Sequence, residues 1–296
     1  MVTSGGTAVV VGVDGSPSAL QAVAAAAQAA RLYARPLRIV HAFIWPLMHV
    51  PMEPVPGGPA EGGLRNDADR LLAEAEEAAR KAAPDIAVEC ALVDGAAAPV
   101  LIAESRRACL LVLGDRGLGG FTGLLVGSVA VQLAAHAACP VLVVRGDEHP
   151  TGPVVVGVDG SATGTRAVDF AMREAHLRGV PLVAVHAWTH PVAAGPGEML
   201  PMVYDAEVIG EEEDRVLAEA LAGRAERYPD LRVVRRVVRQ RPAQALVDAG
   251  ADAQLLVVGT RGRGGFRGLL LGSTSQTTLH HAPCAVALVR PDMTTD

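Results

Sequence analysis

Shifted against itself by 145 positions, the chain matches without a gap: Asp159 falls on Asp14, His186 on His41, Gly259 on Gly114, Gly262 on Gly117, Cys284 on Cys139 and Arg290 on Arg145. A period of that length in 296 residues is too long for a solenoid unit and suits a duplicated domain. The expectation is two domains, residues 1–147 and 148–296, each long enough to bury its own core. The net charge of −6 divides equally between them, so neither half is a basic nucleic-acid domain by composition.

Within each repeat, short apolar runs alternate with helix-forming stretches. "TAVVVGVDGS" opens the first as a buried strand, and Ser16 followed by Pro17 is the start signal of a helix running to about Ala34. A strand over 36–42, a helix over Leu64–Ala82, a strand over 86–95 and a helix over Ala98–Arg107 follow. "ACLLVLG" is a fourth strand, Ser128 is expected to cap a helix to His136, and "CPVLVVR" is a fifth strand. The second half repeats this order, with strands near Val154–Val158, Leu182–Ala187, Leu231–Val238, Gln254–Val258 and Ala285–Val289. Strands alternating with helices predict right-handed crossovers, hence two tandem doubly wound α/β domains. Each would hold a parallel five-stranded sheet and take its ligand at the carboxyl ends of the strands, near the switch point.

The longest self-match is a loop: "GDRGLGGFTGLLVGS" over 114–128 and "GTRGRGGFRGLLLGS" over 259–273. Each reduces to G-x2-G-x9-G-S, through Gly114, Gly117, Gly127 and Ser128, and through Gly259, Gly262, Gly272 and Ser273, with Gly119, Gly120, Gly264 and Gly265 between. Each leaves a buried strand and enters a helix. Backbone N–H groups of such a loop and of the first helical turn converge on one spot, where glycine permits close approach by an anion. The serine hydroxyl can cap the helix or donate to a phosphate oxygen. Arg116 and Arg261 occupy equivalent places and could pair with phosphate or with a surface carboxylate. Arg263 and Arg267 stand where the first loop has Leu118 and Thr122, so the second site should be the more cationic. Phe121, Leu124 and Leu125 read as packing anchors.

On these residues, over nearly the whole chain, the sequence resembles a tandem-domain universal stress protein. The resemblance implies that ATP, accompanied by Mg²⁺, binds in each domain with its phosphates on the loop and its adenosine over the ends of strands 1 and 2. Asp14 and Asp159 would approach the base or ribose, with Gly12 and Gly157 keeping the strand ends open. Val40 and Val185 would offer backbone groups to adenine, and Ser128, Val129, Ser273 and Thr274 would complete the phosphate cradle. It also implies a nucleotide-dependent regulator of the stress response, growth or dormancy, with a protein partner that the sequence does not identify.

The rival is an enzyme, a weak ATPase or an adenylyl- or phosphoryl-transfer relative. The standard signatures are missing. Glycine, not lysine, precedes Ser128 and Ser273, and Lys81 is the only lysine. Strand 1 leads into "GVDGSP" or "GVDGSA" rather than a dinucleotide fingerprint, and there is no G-x-S-x-G elbow. His41 and His186 reach the ligand edge, where lining the pocket or bonding within the sheet edge competes with general-base duty. His280 and His281 have no further ligands near them in sequence to suggest a metal.

The arginines of "RVVRRVVRQR", 232–241, read as protection of an edge strand more than as a nucleic-acid site. The four cysteines have no CxxC spacing and read as reduced thiols. No apolar run approaches a membrane span and the N-terminus has no basic n-region, so a cytoplasmic location is expected. The Pro/Gly-rich stretches after strand 2 could serve as lids or contact surfaces. The apolar fifth strands are expected at the interdomain interface, giving a pseudo-twofold chain open to further pairing as a homodimer.

Overall fold

The computed structural model describes residues 7–44, 62–118, 126–147, 149–161, 163–189, 206–262 and 271–291. The chain separates into two compact units, Met1–Gly146 with Ala285–Asp296, and Asp147–Cys284.

In the first unit the strands are β1 (Ala8–Val13), β2 (Leu37–Phe43), β3 (Val88–Asp94), β4 (Ala108–Gly114) and β5 (Val141–Val144). The helices are α1 (Pro17–Tyr33), α2 (Gly62–Ala82), α3 (Ala97–Ser105) and α4 (Ser128–His136). The strand order is 3-2-1-4-5, with every pair parallel. The valine- and leucine-rich runs are buried at nearly every position of β1 and β4, as strands covered on both faces must be. Ser16 caps α1, its Oγ accepting from Ala19 N at 3.2 Å, with Pro17 in the first turn.

The second unit holds β6 (Val154–Gly157), β7 (Leu182–Trp188), β8 (Val233–Arg239) and β9 (Leu255–Gly259), with α5 (Thr165–Arg178), α6 (Ala206–Leu221), α7 (Pro242–Ala249) and α8 (Ser273–His281). Its strands run in the order β9-β6-β7-β8, all parallel. The last strand of the second repeat, β10 (Val286–Val289), belongs to the first compact unit. It lies antiparallel to β5, with Val286 opposite Val143 and Leu288 opposite Val141. Both strands are apolar and buried, so this pairing removes the edge that β5 would otherwise expose.

The arginine-rich segment forms β8, which pairs with β7 alone, so its place at a sheet edge is as read from the sequence. Desolvation pushes the Cys139 thiol upward, as expected of a core residue. Among the described residues, no helix is long and apolar enough to cross a membrane.

Candidate functional site

The crossover rule brings the ends of β1 and β4 side by side, and Asp14, Gly114 and Gly117 gather there. Asp14 follows β1. Its Oδ1 accepts from Ser16 N at 3.0 Å, and its Oδ2 reaches across to accept from Leu118 N, at 2.9 Å, in the loop that leaves β4. Gly117 faces that carboxylate so closely that a Cβ would overlap Oδ2. Ser18 Oγ donates to the Arg116 carbonyl at 2.6 Å, and a Cβ on Gly114 would lie 2.7 Å from the Ser18 backbone. Gly114 is therefore required by the protein's own packing, and a side chain at Gly117 would have to displace the Asp14 carboxylate.

The other repeat builds the same junction. Asp159 Oδ1 accepts from Ser161 N at 2.9 Å and from Ser161 Oγ at 2.6 Å, and a Cβ on Gly262 would lie 2.6 Å from Asp159 Oδ2. Ser275 Oγ donates to the Gly259 carbonyl at 2.6 Å.

Gly127 and Gly272 are different. They are the N-caps of α4 and α8, with φ of −65° and −66°, a conformation open to any residue. A Cβ would come no nearer than 3.7 Å to another atom at Gly127 and 3.4 Å at Gly272. Among the described residues, neither backbone strain nor crowding calls for glycine there. Each donates its N–H to the residue after the fourth strand, Gly127 to Asp115 O and Gly272 to Thr260 O, both at 2.9 Å. Ser128, expected from the sequence to cap its helix, is instead the first helical residue, exposed, as is Ser273, and no side chain caps either helix. The first turns of α4 and α8, which include Val129 and Thr274, thus have no capping side chain at their N-caps.

Of the other expected positions, the four on the strands turn away from this junction and the two arginines lie exposed on it. The room that Gly12 and Gly157 leave is taken by leucines of the crossing helices, with a Cβ meeting Leu101 Cδ1 at 2.7 Å and Leu246 Cδ1 at 2.8 Å. Val40 is buried inside the sheet between Gly12 and Ala91. Val185 sits likewise between Gly157 and Arg236, its carbonyl accepting from Val158 N at 2.9 Å. Arg116 is exposed, its Nε 3.4 Å from Asp115 Oδ2, and Arg261 is exposed. Gly119, Gly120, Gly264, Gly265, Arg263, Arg267, the three packing anchors and the Pro/Gly-rich stretches fall outside the described residues.

The two histidines are hydrogen-bonded at the sheet edge, His41 Nδ1 2.8 Å from Val13 O and His186 Nδ1 2.6 Å from Val158 O. His186 has a second partner that the sequence does not signal, Glu213 of α6, whose Oε2 lies 2.6 Å from Nε2. Ser18 and Asp115 likewise join the junction without a motif to announce them. All three stand in the self-match as positions where the copies differ: Glu213 against Ala68, Thr163 against Ser18, Thr260 against Asp115.

Comparison with known proteins agrees with this duplicated architecture. The model of the universal stress protein family matches residues 7–145 and again 151–290. The chain belongs to the universal stress protein family. A universal stress protein of Mycobacterium tuberculosis is 39% identical over 295 residues, covering 97% of each chain. One of Mycolicibacterium smegmatis is 37% identical over 298 residues, covering 96% of this chain and 97% of that one. In fold, the crystal structure of a universal stress protein from Archaeoglobus fulgidus is similar with a TM-score of 0.69, at 17% identity, covering 96% of this chain and 98% of the other. In each copy the bond from the N-cap glycine to the residue after β4 or β9 brings the strand end and the start of α4 or α8 together.

Proposed function

We propose that each repeat, residues 1–147 and 148–296, binds one ATP with its Mg²⁺ and that the bound nucleotide sets the protein's conformation or choice of partner. The observation that carries this is the pair of N-cap glycines. Gly127 and Gly272 are demanded neither by φ nor by packing among the described residues, yet both copies keep glycine at the mouth of a helix without a side-chain cap. A ligand that must approach the backbone closely accounts for that choice, and an anion gains most from it. The residues present fit a phosphate chain: the first-turn N–H groups of α4 and α8 and the hydroxyls of Ser128 and Ser273 would hold it. Arg116 and Arg261 would stand at its flank. Asp14 and Asp159, held against the loops, would mark the side toward the ribose. ATP would supply the negative charge that the helix N-termini attract, and Mg²⁺ would offset part of that charge.

The test uses an aspartate at each N-cap. Gly127→Asp places an acceptor where α4 has none, so the nucleotide-free fold should gain a few tenths of a kcal/mol. The same carboxylate would occupy the anion's place and repel it at short range. Calorimetric titration of nucleotide-stripped protein should give two ATP per chain for the wild type, one for Gly127→Asp or Gly272→Asp, and none for the double variant, each with an undiminished melting temperature. Full ATP binding by the folded double variant would overturn the proposal. Sustained phosphate or AMP release, far above a slow background, would move the reading to an enzyme.

A further inference from the structure

The residue after the fourth strand has the same backbone role in both copies and a different charge. Asp115 O accepts from Gly127 N, and Thr260 O accepts from Gly272 N, each at 2.9 Å. Both residues are buried, Asp115 with 9% and Thr260 with 2% of its surface exposed. The chain thus contains its own charge substitution at one position of a duplicated site.

Resting on the ATP reading above, we infer that Asp115 makes the first site select nucleotides of low phosphate charge, whereas Thr260 leaves the second site suited to the triphosphate. The hydrogen bond from Gly127 ties the Asp115 backbone to the N-cap of α4. Covalent geometry then holds its carboxylate within about 9 Å of the helix mouth in any rotamer, inside the roughly 10 Å over which salt leaves charges unscreened. A carboxylate there opposes each added phosphate charge. It also draws on Arg116, whose Nε lies 3.4 Å from Asp115 Oδ2. At the second loop the buried group is a neutral hydroxyl-bearing side chain, and nothing of this kind is imposed on Arg261. For a charge pair at this separation near a protein surface, the penalty is of order tenfold in affinity per added phosphate charge. The difference between the sites therefore grows from AMP to ADP to ATP.

The experiment compares two single-site proteins, Gly272→Asp retaining the first loop and Gly127→Asp retaining the second, titrated calorimetrically with AMP, ADP and ATP, with and without Mg²⁺. The expected result is an ATP-to-AMP affinity ratio at least about tenfold lower at the first site. Asp115→Thr, which installs the residue the second copy carries, should raise that ratio toward the second site's value, Arg263 and Arg267 accounting for any remaining difference, and Thr260→Asp should lower the other. Equal ratios at the two sites would overturn the inference and leave ATP binding standing. So would a loss of ATP affinity in Asp115→Thr confined to Mg²⁺-containing buffer, which would make the carboxylate a metal ligand. If the wild type bound none of the three nucleotides, both the inference and the reading beneath it would fall.

Discussion

The first and second copies of the loop junction share their backbone plan and differ in how side chains fasten it. In the first copy, α1 reaches forward: its Ser16 caps the helix, and Ser18 Oγ donates to the Arg116 carbonyl. In the second, α5 starts only at Thr165 and has no side-chain cap, and the fastening moves to α8, where Ser275 bonds to the Gly259 carbonyl. His186 gains Glu213, whereas the position matching Glu213 in the first copy is Ala68. The lesson is that the backbone features, a glycine facing an aspartate and a glycine at a helix mouth, are what the duplication keeps. Hydroxyls and charges around them have been redistributed, and the functional difference between the copies has to be sought there.

The loop glycines divide into those the fold needs and those it does not, and that division can be broken directly. Gly114→Ala drives a methyl group against the Ser18 backbone, 2.7 Å away, in a helix anchored by buried alanines. We expect a loss of about 3 kcal/mol, since relief requires moving α1 and not merely a side chain. Gly127→Ser meets ordinary contacts and supplies a good N-cap, so its stability should stay within about 0.5 kcal/mol of the wild type. Urea unfolding of both variants checks the contrast. Equal losses would mean that Gly127, too, is a packing glycine, and would remove the support for an anion at α4.

Much of this division of labour is legible in the amino-acid sequence. The alternation of apolar runs with helix signals predicts every described strand and helix in order. The unbroken offset locates both loops and matches Asp14 to Asp159, while the contact between Asp14 and the turn at Gly117 and Leu118 is seen only in the structure. What escapes are contacts between residues distant in sequence. Nothing in "VVVGV" says that the room at Gly12 is filled by Leu101 of another helix, so a glycine at a strand end reads as space for a ligand. Cap assignment fails by one residue at Ser128 because serine is the commoner N-cap and glycine gives no side-chain signal. Self-similarity also hides its own exceptions: aligning the copies draws the eye to what repeats, and Asp115, Thr260 and Glu213 matter because they do not.

The next contrast is Glu213, which ties α6 to β7 through a buried histidine. Glu213→Ala leaves His186 Nε2 without this acceptor and converts the second copy to the first copy's arrangement. The expected cost is about 1–2 kcal/mol, the range for a hydrogen bond to a charged group that is partly exposed. For a unit of this size that lowers the melting temperature by roughly 3–6 °C. Scanning calorimetry would measure it. If stability is unchanged, the pair is incidental, and the second copy owes its histidine's position to Val158 alone.

The smallest expected effect concerns the serines at the two helix starts, which occupy equivalent positions and have different work. Ser16 Oγ is the acceptor for Ala19 N in the first turn of a 17-residue helix. Ser16→Ala should therefore cost about 1 kcal/mol, the usual loss when an N-cap side chain is removed. Ser161 Oγ also accepts from a nearby N–H, that of Gly164 at 3.1 Å, but Gly164 N has a second acceptor in the Ser161 carbonyl at 3.0 Å. Asp159 in turn keeps Ser161 N when the hydroxyl is lost. The third partner, Thr163 Oγ1 at 2.9 Å, is exposed and can turn to water, and the other two retain another bond, so Ser161→Ala should cost about 0.5 kcal/mol, below the usual penalty for leaving a polar group unpaired. Chemical denaturation of the two variants, with the unfolding slope compared to exclude a change of denatured state, should show the larger loss at Ser16. A greater loss at Ser161 would mean that the second copy depends on its turn as much as the first depends on its cap.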